Sequence, residues 1–421
     1  MPRSSWRLKK NMSAKKPLLS KPFEKFWLLN TDISPLLRPH SPTLPQRRYV
    51  YKPNNQVKGN KPVEVGYEMS CVGLSARRPL YGAAEPPWNL PLSMRLVPFE
   101  ENKNSFTARQ VNDVVENEAF PFHKELTVNT LDSNYSHPEY IVDTHVQPNL
   151  VNVARLASNR KVWKMLGRAE REERREENKD RRGANAVFGQ ELHLNKPEEW
   201  AGLPPDQAER FCVKLSNGKR CEVEVSVWEE MLLRSKRGKN MKNKPFRLVK
   251  IRLLDAQTGQ ALFKKEMWLG VWGDRRMELS GEEIYFAYRN RYDIEHFFRF
   301  GKQRLLLDDY QTPEEEHLEN WLEVVSLAYW MLWSAVEEAA YQCPKWQKYD
   351  KNLKKRRENK LPPSPSEVQR QLQSIILSFE QSPFLPKLQI KGKGRAQGQT
   401  FIKRERHPVL KKKKKRPCIK K

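Results

Sequence analysis

The chain has 421 residues, 38% of them hydrophobic, and sets 78 Lys and Arg against 51 Asp and Glu, a formal charge of +27. That length excludes a peptide or a lone binding module, and 12 Trp, 17 Phe and 13 Tyr are too many for a wholly disordered chain. The charge excess calls for a polyanionic partner, either nucleic acid or an acidic membrane surface. Fourteen Lys and Arg against one Glu lie between Lys391 and Lys421, which leaves about half of the surplus on the body of the chain.

No stretch reaches the roughly eighteen uninterrupted apolar residues of a membrane span, and the richest, Val324 to Val336, reads as a buried amphipathic helix. Met1 to Ser20 is basic without an apolar core, which argues against secretion. Cys71, Cys212, Cys221, Cys343 and Cys418 lack Cys-x-x-Cys spacing, so neither a disulfide framework nor a zinc site is expected and a cytoplasmic location is.

In chain order, Phe26 to Thr31 (FWLLNT) is a short apolar run ending at Asp32, as in a buried strand with a carboxylate at its end. Pro35, Pro39, Pro42 and Pro45 predict a long loop. Val63 to Leu74 and Leu90 to Phe99 are strand-like, Thr107 to Ala119 has helical spacing, Glu125 to Leu131 alternates and ends at Asp132, and Leu150 to Leu156 is one more strand. This order predicts an α/β unit with a mixed sheet. Arg168 to Arg182 carries dense charge of both signs, as a solvated helix or linker does. Hairpins are predicted over Phe211 to Val225, turning at Asn217-Gly218, and over Phe246 to Trp268, turning around Thr258-Gly259. Helices follow at Glu282 to Leu306, Pro313 to Ala340 and Ser364 to Phe379, and the basic remainder from Pro383 has the composition of a disordered tail.

The helix from Glu282 carries the most chemistry. Tyr288, Arg291, Glu295 and Lys302 lie at offsets that, at about 100° per residue, put all four in one stripe about 60° wide. Ile284, Ala287, Phe298 and Leu305 form an apolar flank beside it. Arg291 and Glu295 are also an i, i+4 pair of the kind that decorates a helix for a few tenths of a kcal/mol. The two upstream aspartates that end candidate strands suggest another use. No phosphate loop, Ser-His-Asp order or dinucleotide fingerprint is present, and His137, His145, Asp143 and Cys71 have no spacing diagnostic of metal ligands.

Tyr288-x-x-Arg291-x-x-x-Glu295 followed by Lys302, within YRNRYDIEHFFRFGKQRLLLDDYQTP, resembles the Tyr-Arg-Glu-Lys signature of bacterial insertion-sequence transposases. These are DDE enzymes on a ribonuclease-H-like fold. LDSNYSHPEY around Asp132, with VNVARLASNRKVW after it, is similar to the family's second-aspartate region; Asp143 is a competing candidate there, and Asp32 is the choice for the first aspartate. The resemblance implies metal-dependent DNA strand cleavage and strand transfer by Asp32, Asp132 and Glu295. They would hold two magnesium ions, for which manganese can substitute, with Asp32 bridging. It implies phosphate contacts from Tyr288, Arg291 and Lys302, and partners in transposon-end and target DNA held by a synaptic homodimer, associated with the nucleoid. Three crowded carboxylates should also raise one another's pKa. Many members excise DNA through a hairpin that needs a flipped base stacked on an aromatic ring; Trp268 and Trp272 are the candidates, and hydrophobic packing is an equal expectation for both.

The implied organisation is a basic segment (1–21), the first part of a ribonuclease-H-like domain (22–160), a linker and β-rich insertion (161–279), the continued catalytic domain (280–340), a helical region (341–382) and the tail (383–421). About 25 residues precede Phe26, fewer than the helical DNA-binding domain usual there, so an N-terminally truncated copy that only binds DNA is the alternative expectation. A basic nucleic-acid-binding protein on the same fold is another.

Overall fold

A computed structural model describes residues 21, 23–52, 62–76, 86–120, 122, 124–177, 187–215, 220–235, 239–339, 363–379, 397–398 and 403–411. The segment 1–20, the Asn217-Gly218 turn, Cys343, Cys418 and most of the last two expected regions lie outside these residues. The chain forms a mixed α/β structure on one 12-stranded sheet. The strands are β1 (Trp27–Leu37), β2 (Arg48–Tyr51), β3 (Val63–Ser75), β4 (Asn89–Leu96), β5 (Thr127–Leu131), β6 (Leu150–Arg155), β7 (Lys161–Met165), β8 (Phe188–His193), β9 (Gln207–Lys214), β10 (Arg220–Leu232), β11 (Phe246–Asp255) and β12 (Met267–Trp272). The helices are α1 (Lys103–Val115), α2 (Pro138–Thr144), α3 (Arg168–Glu177), α4 (Gly281–Arg289), α5 (Tyr292–Arg304), α6 (Glu315–Ser334) and α7 (Pro365–Phe379).

The sheet runs β2-β3-β1-β5-β6-β12-β11-β10-β7-β8, with β4 paired to β3 and β9 to β10. Only β1 with β5 and β5 with β6 are parallel. These central strands are covered on both faces, which parallel strands require, and every residue of β5 is buried. Trp27 and Leu29 of β1 enter one core with residues of α1, α5 and α6, while Leu28 enters a second core with Val128, Val151, Ile284 and Ala287. The sheet therefore separates two apolar layers.

Several elements differ from the sequence reading. β1 does not stop at Asp32 but runs on to Leu37, because β3 continues to pair with it antiparallel through Leu37↔Gly66. Pro35 is tolerated inside the strand since the parallel partner β5 has already ended at Thr31↔Leu131, leaving that side of β1 without a ladder to break. β2, α2, β7 and β8 were not anticipated. Both predicted hairpins form, as β9–β10 and β11–β12, and Gly259 takes the positive φ of 67° that its turn needs.

The predicted single helix from Glu282 to Leu306 is two helices. Ser280 and Glu283 close a reciprocal capping box at the start of α4. At Asn290–Arg291 the backbone keeps helical angles, but Asp293 bonds to Asn290 and Ile294 to Arg291, a tightening to i, i+3. The resulting bend has a packing cause. Ile284, Tyr285, Ala287 and Tyr288 bury in one core, while Ile294, Phe297, Phe298 and Phe300 bury in the other. A straight helix cannot serve both faces of a sheet; the bend carries the chain from one to the other.

The edge strand β4 is closed by α6, whose Ser326 Oγ and Trp330 Nε1 both donate to the carbonyl of Pro91. Segment 403–411 of the tail, expected to be disordered, is tied to the body. His407 N–H donates to Pro42, Leu410 N–H donates to Arg47 at 2.7 Å, and Leu410 forms a parallel bridge to Arg48. Among the described residues no helix is long and apolar enough to cross a membrane.

Candidate active site

The parallel ladder between β1 and β5 ends at Thr31↔Leu131. Asp32 is the next residue within β1 and Asp132 the first beyond β5, so two acids 100 positions apart lie where the parallel ladder stops. Immediately behind them a polar network locks the strands together. Thr31 Oγ1 donates to Asn129 Oδ1 at 2.9 Å, Asn129 Nδ2 donates to Tyr140 OH at 2.8 Å and to Asn152 Oδ1 at 3.2 Å, and Asn30 Nδ2 donates to Asn89 Oδ1 at 2.9 Å. All of these polar residues except Tyr140 lie in the sheet, and they are wholly or almost wholly buried. A hydrogen-bonded buried network fixes register where an apolar one would tolerate slippage, and within it Asn89 Nδ2 alone of the named amides is left without a partner. Gly73 makes room for it, since a Cβ there would lie 2.0 Å from Asn89 Nδ2. Sequence reading missed this network; the signal was a polar residue at the same depth in each of three apolar runs.

Glu295 arrives from the first turn of α5. Arg291, at the bend, joins it to β1: its Nη1 donates to Asp32 Oδ2 at 3.2 Å and its Nη2 to Glu295 Oε1 at 2.8 Å. Asp32 Oδ1 accepts the Ile33 N–H and Asp132 Oδ2 accepts Asn134 Nδ2. Burial pushes the Asp32 carboxyl up from its ordinary 3.8 to about 6. Arg291 and the Ile33 N–H oppose that shift, and the charges of Asp132 and Glu295 add to it. The expected mutual repulsion of the acids is thus present at Asp32. Asp143, the competitor, instead forms an ion pair with Lys239.

Tyr288 is almost fully buried, with the Arg291 guanidinium 6.0 Å from its ring centroid. Lys302 does not point freely outward. Its Nζ donates to the Pro35 carbonyl at 2.5 Å and pairs with Asp308 at 3.2 Å, pinning the part of β1 that runs beyond β5. Trp268 and Trp272 cannot receive a base as they stand. Four residues apart on β12, they share one face of a strand flanked on both sides. Trp268 is 4% exposed and packs on Trp200 and Trp228, while Trp272 is 2% exposed and stacks on Phe246 at 4.8 Å.

Beside Arg291 a cleft of about 710 Å³ opens between the β11–β12 connection and the α4–α5 bend. Arg155, Lys264, Lys265 and Arg289 line it with Arg291, as do Phe263 and Tyr292, which are 64% and 49% exposed. On the other side, Asp32, Tyr51, Lys103 and Asn134 line a depression of about 240 Å³. A third, about 330 Å³, shares Pro35 with it and reaches Lys302, Arg299 and Lys52. Each of the three depressions is thus lined by at least one cation, and the second includes Asp32. Arg155, Lys103 and Phe263 were not singled out from sequence, because only the folded sheet brings them to the site.

The three acids offer only hard oxygen donors, the chemistry a magnesium-like ion prefers. Among the described residues, however, no three Asp, Glu, His or Cys side chains are grouped as a ligand set, and a guanidinium lies between two of the acids. Neither a family model nor a curated protein matches the chain.

Proposed function

We propose that the chain is a metal-dependent DNA strand-cleaving and strand-transferring enzyme of the DDE type, a transposase of an insertion sequence. The observation that carries this reading is that Arg291 ties Asp32 to Glu295 where the parallel ladder of β1 and β5 stops, one residue before Asp132. The order β4-β3-β1-β5-β6, in which only β3 runs against the other four, supports a ribonuclease-H-like core. Strands β7 to β12, falling between β6 and α4 in sequence, support the β-rich insertion.

In this reading Asp32, Asp132 and Glu295 would hold the divalent ions, which would supply charge neutralisation at the phosphodiester. The chain's own contribution is positioning. The asparagine network fixes the two aspartates, Arg291 presents a planar fork suited to a phosphate, and Lys302 keeps β1 in place. The cations of the three depressions lie along a backbone track. An unpaired base beside the scissile bond would stack on Phe263 or Tyr292 rather than on Trp268 or Trp272.

The test uses a plasmid carrying the genomic DNA on both sides of the reading frame, where this reading expects inverted repeats. Magnesium should support cleavage at their ends. Glu295→Gln and Asp132→Ala should each lower the rate by about 10³-fold, the value of several kcal/mol of transition-state stabilisation, while DNA binding in a gel-shift assay persists. Metal-dependent cleavage that survives both substitutions rejects the reading; binding without any cleavage would leave a nucleic-acid-binding protein.

A further inference from the structure

Arg291 lies where a cation bound to both Asp32 and Glu295 would lie. Its two terminal nitrogens reach one carboxylate each, at 3.2 and 2.8 Å, and its side chain is only 15% exposed. The same guanidinium lines the 710 Å³ cleft with Arg155, Arg289 and Lys265, a cationic setting that attracts phosphate. A backbone phosphate entering there offers the fork two oxygens in the same planar geometry that a carboxylate does. Of its two acceptors, Asp32 belongs to the distant strand β1, whereas Glu295 is its i, i+4 neighbour at the start of α5, so the bond to Asp32 is held by tertiary packing alone.

We propose that Arg291 is an exchangeable counter-ion. In the nucleic-acid-free protein it holds Asp32 and Glu295 and competes with a divalent ion for the space between them, and a phosphate of bound DNA draws it into the cleft. DNA binding and metal binding then favour each other. The inference rests on the metal-dependent reading of this site. Because coupling between two ligands is reciprocal, the factor by which DNA tightens metal binding equals the factor by which metal tightens DNA binding. The arrangement keeps the site poorly loaded until a phosphodiester is in place.

Manganese binding to the full chain, followed by electron paramagnetic resonance with and without a short duplex of arbitrary sequence, tests this. For the unaltered protein the duplex should tighten manganese binding about tenfold, within the usual range of such couplings. Arg291→Gln should bind manganese about tenfold more tightly without DNA and lose most of the response to the duplex, and Arg291→Lys should lie between. Circular dichroism establishes that each variant is folded. Manganese binding that is lost in Glu295→Gln yet unchanged or weakened in Arg291→Gln overturns the exchange and leaves the metal-dependent reading standing. Absence of manganese binding in every protein, with and without duplex, overturns both.

Discussion

Two arginines, the buried Arg247 and the half-buried Arg291, divide the molecule's ion pairs into different kinds. Arg247 of β11 is 1% exposed and gives its nitrogens to Glu229, to the carbonyls of Arg276 and Leu279, and to Gln207. Two of those acceptors are backbone groups in the turn that leads into α4, so Arg247 fastens the start of the site-bearing helices to the sheet. Arg291 at their bend bonds to carboxylates on two elements and faces a cationic cleft. The acceptors, rather than the arginine, decide the role. Carbonyls cannot leave without unfolding the turn; a carboxylate can be surrendered to a metal while the guanidinium finds another anion.

The contrast is broken most directly by substituting both. Arg247→Ala leaves Glu229 and two carbonyls without their partner and should cost about 3–5 kcal/mol in urea unfolding. Arg291→Ala should cost no more than about 1–2 kcal/mol, because Asp32 can take up a proton instead. Equal losses would show that Arg291 is a structural fastener too.

The acceptor side gives a second, smaller effect. Asp32, held at about 6, binds its proton more tightly in the folded than in the unfolded chain. Its contribution to stability is therefore fully present below about pH 4 and lost as pH rises through about 6, amounting to at most about 3 kcal/mol. Asp32→Asn should flatten that part of the curve of unfolding free energy against pH. Metal binding should show the opposite trend and strengthen as pH rises through about 6, since the ligand must be deprotonated. An unfolding curve with the same slope in Asp32→Asn would assign the pH dependence elsewhere.

The smallest effect concerns the cleft that Arg291 has and Arg247 lacks. Phe263→Ala should weaken binding of a duplex with a single-stranded end by about 1–3 kcal/mol in fluorescence anisotropy, leaving blunt-duplex binding nearly unchanged. Trp268→Ala should lower stability and leave overhang binding per folded molecule intact. The reverse result would return the stacking role to the tryptophan.

The central strands were legible from their short apolar runs: β1 begins in FWLLNT, and β5 and β6 fall within Glu125 to Leu131 and Leu150 to Leu156. The bend was not, since stripe arithmetic assumes a straight axis, and only the presence of two cores makes Arg291 a hinge between faces. It survives in part because Arg291 and Glu295 lie on the same side of the bend. Asp32 was placed at a strand end on the evidence of its own run, whereas the end that matters is that of its neighbour β5. Trp268 and Trp272 read equally as platform or packing until β6 and β11 flank them. The short β2 was hidden among prolines, and its pairing is with β3, more than ten residues away.

The strap at residues 403–411 bears on the lysine run that follows it. Arg47 Nη2 donates to the His407 carbonyl at 3.1 Å and Arg404 pairs with Glu314 at 3.4 Å, so Lys411 departs from a fixed point at β2. The bridge there is parallel, and β2 itself leads to Tyr51, which lines the depression holding Asp32. Under the proposed function, the lysine run that begins at Lys411 would meet DNA bound at the acids as an intramolecular event, governed by an effective concentration in the millimolar range for a short tether rather than by the concentration of protein in solution.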